Sequence, residues 1–322
     1  MDLNSIRNLV QKELSATDNL IDDCLHSEIG LIKQLGQHLI HSGGKRLRPL
    51  LVLLSARAFG YNGPAHIELA AVIELVHTAT LLHDDVVDTS DLRRGKRTAN
   101  AIWGNAASIL VGDFLYSRAF QLMVRVENMR VMQILAQATN VIAEGEILQL
   151  LNCKNPDVDE NICMEVIRAK TGTLFATATE LGAILGKQSE AIITAMREYG
   201  MHLGIAFQLA DDALDYHASS ETLGKNKGDD LAEGKITMPL VYALKNGNSA
   251  QTNIIRDTIH RAVEMDREQV FAVIESTGAI AYTYELAQQY AKRAIGFLHE
   301  LPDSPYRSAL IALAEFAVAR TY

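Results

Sequence analysis

The chain has 322 residues, 48% hydrophobic and 21% charged, the makeup of a globular protein able to bury a sizeable core as one large helical domain or two smaller ones. A formal charge of -9 argues against nucleic acid as the main partner, because binding to a phosphate backbone needs a basic face. The cysteines, Cys24, Cys153 and Cys163, match neither a zinc motif nor a disulfide framework, which points to a reducing, cytoplasmic compartment.

Apolar residues recur at three and four spacing along nearly the whole chain, with little alternation of period two, so the fold class is all-α. The opening stretch carries Ile6, Leu9 and Val10 on one face and reads as an amphipathic helix, not a signal peptide. The pattern predicts helices over about 3–14, 18–41, 47–59, 64–89, 98–126, 128–151, 159–186, 188–218 and 235–246, with further helical segments beyond 250. No apolar run reaches the ~20 residues that cross a bilayer, so the protein is expected not to be membrane-embedded. No linker or internal repeat divides it, and 1–322 reads as a single domain.

The first break with chemical content is Ser42-Gly43-Gly44, followed by Lys45-Arg46-Leu47-Arg48-Pro49, a basic loop opening a helix. Next comes a long apolar stretch ending in Asp84-Asp85-Val86-Val87-Asp88, with Arg93, Arg94 and Lys96 close behind. A second pentad, Asp211-Asp212-Ala213-Leu214-Asp215, ends another apolar stretch and is followed by a loop holding Gly224, Lys225, Lys227 and Lys235. On a helix, positions i and i+4 lie one turn apart on one face, so Asp84 and Asp88, like Asp211 and Asp215, present paired carboxylates. Such pairs suit Mg²⁺, which keeps waters and is completed by substrate phosphate oxygens. Arginine forks and lysine point charges beside them suit the same phosphates. Either pentad alone reads equally as a solvated, salt-bridged helix end; two pentads, each with a basic loop, favour a diphosphate held between two metal clamps.

In this order and spacing, GGKRLRP at 43–49, LLHDDVVDTSDLRRG at 81–95, Lys170-Thr171, Phe207-Gln208 and GKNKGDDLAEGKITMP at 224–239 resemble the trans-prenyl diphosphate synthases, in particular the bacterial long-chain members. The likeness covers nearly the whole chain. It implies a single helical isoprenoid-synthase bundle around a deep apolar tunnel, working as a homodimer on two small substrates, isopentenyl diphosphate and an allylic diphosphate. The metal ligands it nominates are Asp84, Asp88 and Asp211, with Asp85, Asp212 and Asp215 in support and Mg²⁺, or Mn²⁺ in its place, as the cofactor. Lys45, Arg48, His77 and Arg94 are implied to hold isopentenyl diphosphate, and Arg93, Lys170, Lys225 and Lys235 the allylic diphosphate. Thr171 and Gln208 are implied to stand beside an allylic carbocation, although outside the motif order they read as an ordinary polar pair and a helix residue. The released diphosphate can remove the proton, so no protein base is needed.

Product length is argued from the helix before the first pentad. Thr80, Ala79, Val76 and Ile73 lie four, five, eight and eleven residues before Asp84. None is aromatic, so growth is expected to pass farnesyl. Met123 with Leu122, or Leu135, are candidates for the tunnel floor or plain core. The resulting expectation is an all-trans product of seven to ten units, with octaprenyl favoured, for a quinone side chain. A class I terpene cyclase would not need the second diphosphate pocket that GGKRLRP, His77 and Arg94 imply. A regulatory subunit of a heteromeric synthase is the other alternative, and such partners commonly lose one pentad. The loops at 42–45 and 224–235 are expected to be mobile without ligand, and a greasy product would bring the protein transiently to a membrane.

Overall fold

A computed structural model describes residues 1–40, 44–93, 95–217, 228–261 and 267–319. The described residues are almost entirely helical. In chain order they form α1 (Leu3–Asn8), α2 (Gln11–Cys24), α3 (Gly30–Ile40), α4 (Leu47–Ala58) and α5 (Ala65–Val87). A small hairpin, β1 (Leu92–Arg93) and β2 (Lys96–Arg97), precedes α6 (Ala99–Trp103), α7 (Asn105–Arg125), α8 (Met129–Asn152) and α9 (Glu160–Ile167). After a π-helical turn at Arg168–Gly172 come α10 (Thr173–Leu185), α11 (Glu190–His217), α12 (Asp229–Glu233) and α13 (Met238–Asn246). The chain closes with α14 (Ser249–Arg261), α15 (Arg267–Ser276), α16 (Ala279–Gly296) and α17 (Pro305–Val318).

Helix starts follow local chemistry. Asp2, Asn128, Asp159 and Ser304 accept backbone N–H groups of their own first turns, removing donors that the helix leaves unpaired. Pro239 and Pro305 sit in the first turn, where a missing N–H costs nothing. The expected single helix over 3–14 breaks at Leu9–Val10, and the one expected over 18–41 breaks between Cys24 and Gly30. The hairpin was not expected; it pairs Leu92 with Arg97 and Arg93 with Lys96.

The centre of the bundle is α5, packed against α4 and α7, while α11 packs on α10 and α16. Leu69, Val72, Ile73, Val76, Ala79 and Leu82 of α5 are fully enclosed. Each such Leu or Ile contributes about 1.5–3 kcal/mol over its exposed state. This helix is long and apolar enough to cross a membrane by composition, which corrects the sequence expectation, yet 67% of its most apolar window is buried in the bundle. Its apolarity therefore has a core explanation. Both acid-rich segments lie at the C-terminal ends of these two central helices, so the packing that holds α5 and α11 also sets the carboxylates.

Candidate active site

A cavity of about 410 Å³ opens at those helix ends. Its walls come from α5, α8, α9, the π-helical turn, α11 and the segment around Lys235. Asp84, Asp88, Asp211, Asp212 and Asp215 all line it, with Lys170, Thr171, Gln208, Arg48, His77, Arg93 and Lys235. Most residues singled out by the two pentads thus converge on one space.

On the α5 side, Asp84 and Asp88 face inward and each meets a lysine. Lys170 Nζ lies 3.3 Å from Asp84 Oδ2, 2.6 Å from Glu146 Oε2 and 2.9 Å from Gln149 Oε1. Burial opposes its charge, but Asp84 and Glu146 outweigh burial and raise its pKa above the ordinary lysine value. Lys235 Nζ donates to Asp88 Oδ2 at 2.6 Å and to Glu233 Oε2 at 2.7 Å. Its charge is likewise opposed by burial and held by Asp230, Asp88 and Glu233, with the pKa raised. Asp85 points the other way, is 1% exposed, and receives Arg93 through Nε at 2.8 Å and Nη2 at 2.7 Å. Burial pushes its carboxyl up, partly offset by Arg93. The β1–β2 hairpin is what turns Arg93 back onto the helix end.

On the α11 side, Asp211 is half-buried and Asp212 is 3% exposed. Gln208 Nε2 donates to Asp212 Oδ1 at 2.8 Å, and Thr171 Oγ1 donates to Gln208 Oε1 at 2.8 Å. Burial, with the charges of Asp230 and Asp211, pushes the Asp212 carboxyl up to about 8, against the hydrogen bond from Gln208. Asp215 Oδ2 accepts the Asp230 backbone N–H at 3.3 Å, tying α12 to α11.

Two glycines allow these approaches. A Cβ at Gly145 would stand 2.6 Å from the Ala169 Cβ and 3.1 Å from the Lys170 nitrogen, so only glycine lets α8 bring Glu146 and Gln149 onto Lys170. A Cβ at Gly204 would stand 2.8 Å from Gly172 Cα, where α11 meets the π-helical turn.

Arg48 Nη1 lies 3.0 Å from His77 Nε2, with the guanidinium over the Phe175 ring at 4.8 Å, forming a basic corner beside the carboxylates. Lys45 is exposed over the Phe316 ring at 5.3 Å and does not line the cavity. Arg94, Lys225 and the loop residues 42, 43 and 224–227 lie outside the described residues. Lys235, expected in a mobile loop, is instead held at the mouth by Asp88 and Glu233. Of the chain-length residues, Thr80 lines the cavity, whereas Ala79, Val76, Ile73 and Met123 are packed in the core with Leu122 and Leu135. The expectation that those side chains form an open wall is corrected to this extent: only Thr80 borders the space described.

Glu146, Gln149 and Asn152 were not anticipated. They are a polar row at three-residue spacing on the inner face of α8, and that spacing was the signal available. The donors facing the cavity are hard oxygen atoms, which fit Mg²⁺ or Ca²⁺ and not a soft metal. Among the described residues no three His, Cys, Asp or Glu side chains close on one point. The carboxylates instead form two one-sided faces, suited to a cation shared with a phosphate ligand.

A family model described as polyprenyl synthetase matches residues 29–276. The chain is 47% identical over 321 residues to the octaprenyl diphosphate synthase of Escherichia coli (strain K12), covering 99% of each. It is 44% identical over 312 residues to the all-trans-nonaprenyl-diphosphate synthase (geranyl-diphosphate specific) of Rhodobacter capsulatus, covering 97% of this chain and 96% of that one. Among solved structures, polyprenyl synthase from Caulobacter crescentus CB15, complexed with calcium and isoprenyl diphosphate, superposes with a TM-score of 0.96 at 45% identity, covering 99% of this chain and 98% of that one.

Proposed function

The chain belongs to the polyprenyl synthetase family, and we propose that it is a trans-polyprenyl diphosphate synthase that adds isopentenyl diphosphate units to an allylic diphosphate such as farnesyl diphosphate. The observation that carries this reading is the convergence, in one cavity, of two carboxylate faces, the lysines beside them and the Thr171–Gln208 pair. Relatives with octaprenyl and nonaprenyl products support a long product of seven to ten units, with octaprenyl favoured. A quinone side chain is its proposed destination.

In this reading Asp84, Asp88 and Asp211 hold divalent cations, Mg²⁺ in our proposal, and the calcium-bound structural neighbour supports a divalent ion of this type. When bound, such ions neutralise the allylic diphosphate and stabilise its departure. The chain's own groups do the rest. Lys170, Lys235 and Arg93 grip and orient that diphosphate, while Arg48 and His77 receive the diphosphate of isopentenyl diphosphate. Thr171 and Gln208 place oxygen dipoles beside the allylic carbocation without offering a strong nucleophile. The apolar lining by Leu81, Ile162, Val166 and Phe207 excludes water that would otherwise trap it.

We further propose that the chain, one isoprenoid-synthase domain throughout, works as a cytoplasmic homodimer. Leu110 and Phe120 of α7 and Ile147 and Leu151 of α8 are exposed apolar side chains, a surface a second copy would cover. The free cysteines accord with a reducing compartment. Transient contact with a membrane during product release is part of the same proposal.

The test is incubation with farnesyl diphosphate, labelled isopentenyl diphosphate and Mg²⁺, with chromatography of the dephosphorylated products against length standards. A dominant product near forty carbons is expected. A folded protein that incorporates no label, with geranyl and geranylgeranyl starters also tried, would overturn the reading.

A further inference from the structure

Thr171, Gln208 and Asp212 form a hydrogen-bonded row running from the cavity into its wall. Thr171 Oγ1 donates to Gln208 Oε1, and Gln208 Nε2 donates to Asp212 Oδ1, each at 2.8 Å. The direction of such a row is set at its end. A carboxyl group offers Oδ1 as an acceptor whether ionised or carrying a proton on Oδ2. Asp212 therefore takes the NH₂ end of the Gln208 amide. The carbonyl end is left facing Thr171, whose hydroxyl hydrogen is then committed to it. The two hydrogens shared along the row run toward Asp212, leaving free lone pairs on Thr171 Oγ1 and Gln208 Oε1, both on residues that border the cavity.

Asp212 differs from Asp211 in the same pentad. It is 3% exposed, whereas Asp211 is half-buried. An asparagine of the same shape would present an NH₂ group in place of one oxygen. Standing in the Oδ1 place, that group would pair with the Gln208 carbonyl, invert the amide and turn hydrogens, the positive ends of the dipoles, toward the reacting carbon.

Resting on the prenyl-transfer reading, we propose that Asp212 is a positioning residue that fixes the polarity of the Thr171–Gln208 pair, so that both present oxygen to the allylic cation, and that it is not a metal ligand. A site preorganised in this way stabilises the developing charge with no reorientation during the reaction.

The experiment compares Asp212→Asn, Gln208→Glu, Gln208→Met and the double variant Asp212→Asn/Gln208→Met with the wild type, varying farnesyl diphosphate, isopentenyl diphosphate and Mg²⁺ in turn. Asp212→Asn is expected to lower kcat about 100-fold, the scale of losing one preorganised dipole. The KM values and the Mg²⁺ requirement should stay within about threefold of wild type, since ground-state binding is untouched. In the Gln208→Met background, where the row is already broken, the same substitution should cost less than about threefold more. Gln208→Glu cannot donate to Asp212 and should match Asp212→Asn, which keeps the test open if that variant does not fold. Multiplicative losses in the double variant, a roughly tenfold or larger shift in the Mg²⁺ requirement of Asp212→Asn, or wild-type kcat in Gln208→Glu would each overturn the assignment. A folded wild type without turnover would instead overturn the prenyl-transfer reading on which the assignment stands.

Discussion

Lys235 and Asp88, 147 residues apart in the chain, meet at 2.6 Å across the mouth of the cavity. The contact ties the end of α5 to the segment after α12, and Ser90 Oγ donating to Glu233 Oε1 at 2.9 Å adds a second tie beside it. The mouth is therefore held by groups that belong to the site itself.

Lys235→Met should loosen that mouth and weaken the grip on substrate together. Leaving the mostly buried Asp88 and Glu233 without this donor is expected to lower unfolding free energy by about 1–3 kcal/mol in urea titrations. The allylic KM should rise about tenfold or more, the scale of one lost charge-assisted contact of ~1.4 kcal/mol or above. An unchanged KM would remove Lys235 from the diphosphate grip.

Asp84→Ala and Asp211→Ala should each reduce turnover by about 10²-fold or more, the cost of removing a preorganised electrostatic element. Neither residue belongs to the apolar core, so circular dichroism and the melting temperature should stay close to wild type. Turnover like that of wild type in either variant would sink the model of two carboxylate faces acting on one diphosphate.

Gly145→Ala adds a single methyl group, and its target is the 2.6 Å gap to Ala169. The crowding should cost about 1–3 kcal/mol of stability. It should also move Glu146 and Gln149 away from Lys170 and lower activity more than stability at the assay temperature. Equal activity per folded molecule would show that the close approach of α8 serves packing alone.

Thr80→Phe and Ala79→Tyr separate two ideas of the ruler. Thr80 borders the cavity, so phenylalanine there should shorten the product at modest cost to the fold. Ala79 is fully buried, and tyrosine must displace core neighbours, costing about 1–3 kcal/mol or more by overpacking. Both are expected to shorten the product, with only Ala79→Tyr melting clearly earlier. Unchanged product length in Thr80→Phe would move the ruler off α5.

Stability of the metal-free protein should carry the signature of Asp212. Its carboxyl is pushed up to about 8 by burial and by Asp230 and Asp211, while an unfolded aspartate titrates near ~4. Between these values the folded state keeps a proton that the unfolded chain has released. The stabilising contribution is thus complete below about pH 4, declines as pH rises and is lost above about pH 8. Thermal melts of wild type and Asp212→Asn across this range should diverge accordingly, the wild type losing more stability toward high pH. Parallel curves would place the carboxyl at an ordinary value.

Much of the site was legible because its chemistry is written in adjacent residues. The pentads specify carboxylate pairs on one helix face with no tertiary information, and the apolar periodicity that precedes them specifies which helices are central. What escaped was set by contact across the fold. Glu146 and Gln149 acquire meaning only where α8 crosses Lys170, and Gly145 matters only because Ala169 lies opposite. Asp85 sits in the same pentad as Asp84, yet the 100° step between neighbouring helix positions turns it toward Arg93. The wall from Ile73 to Ala79 was read as open because none is aromatic, but small side chains are also what a crowded helix packing requires. The break at Leu9–Val10 carries neither proline nor glycine, and the one after Cys24 was marked only by Ser27, whose hydroxyl accepts the Ile29 N–H, and by Gly30.

The π-helical turn at Arg168–Gly172 gives the site a different kind of vulnerability. Cavity-lining pairs recur at Ile162 and Cys163, Val166 and Ile167, and Lys170 and Thr171, a spacing of four. An uninterrupted α-helix drifts about 40° in each such step. The wider turn takes up that drift, so α9 and α10 form one rod with two phases. The placement of Lys170 and Thr171 is consequently encoded in how many residues the rod contains as well as in which ones. Deletion of Arg168, which leaves every cavity-lining side chain in the sequence, would rotate one half of the rod against the other and dismantle the site by arithmetic alone.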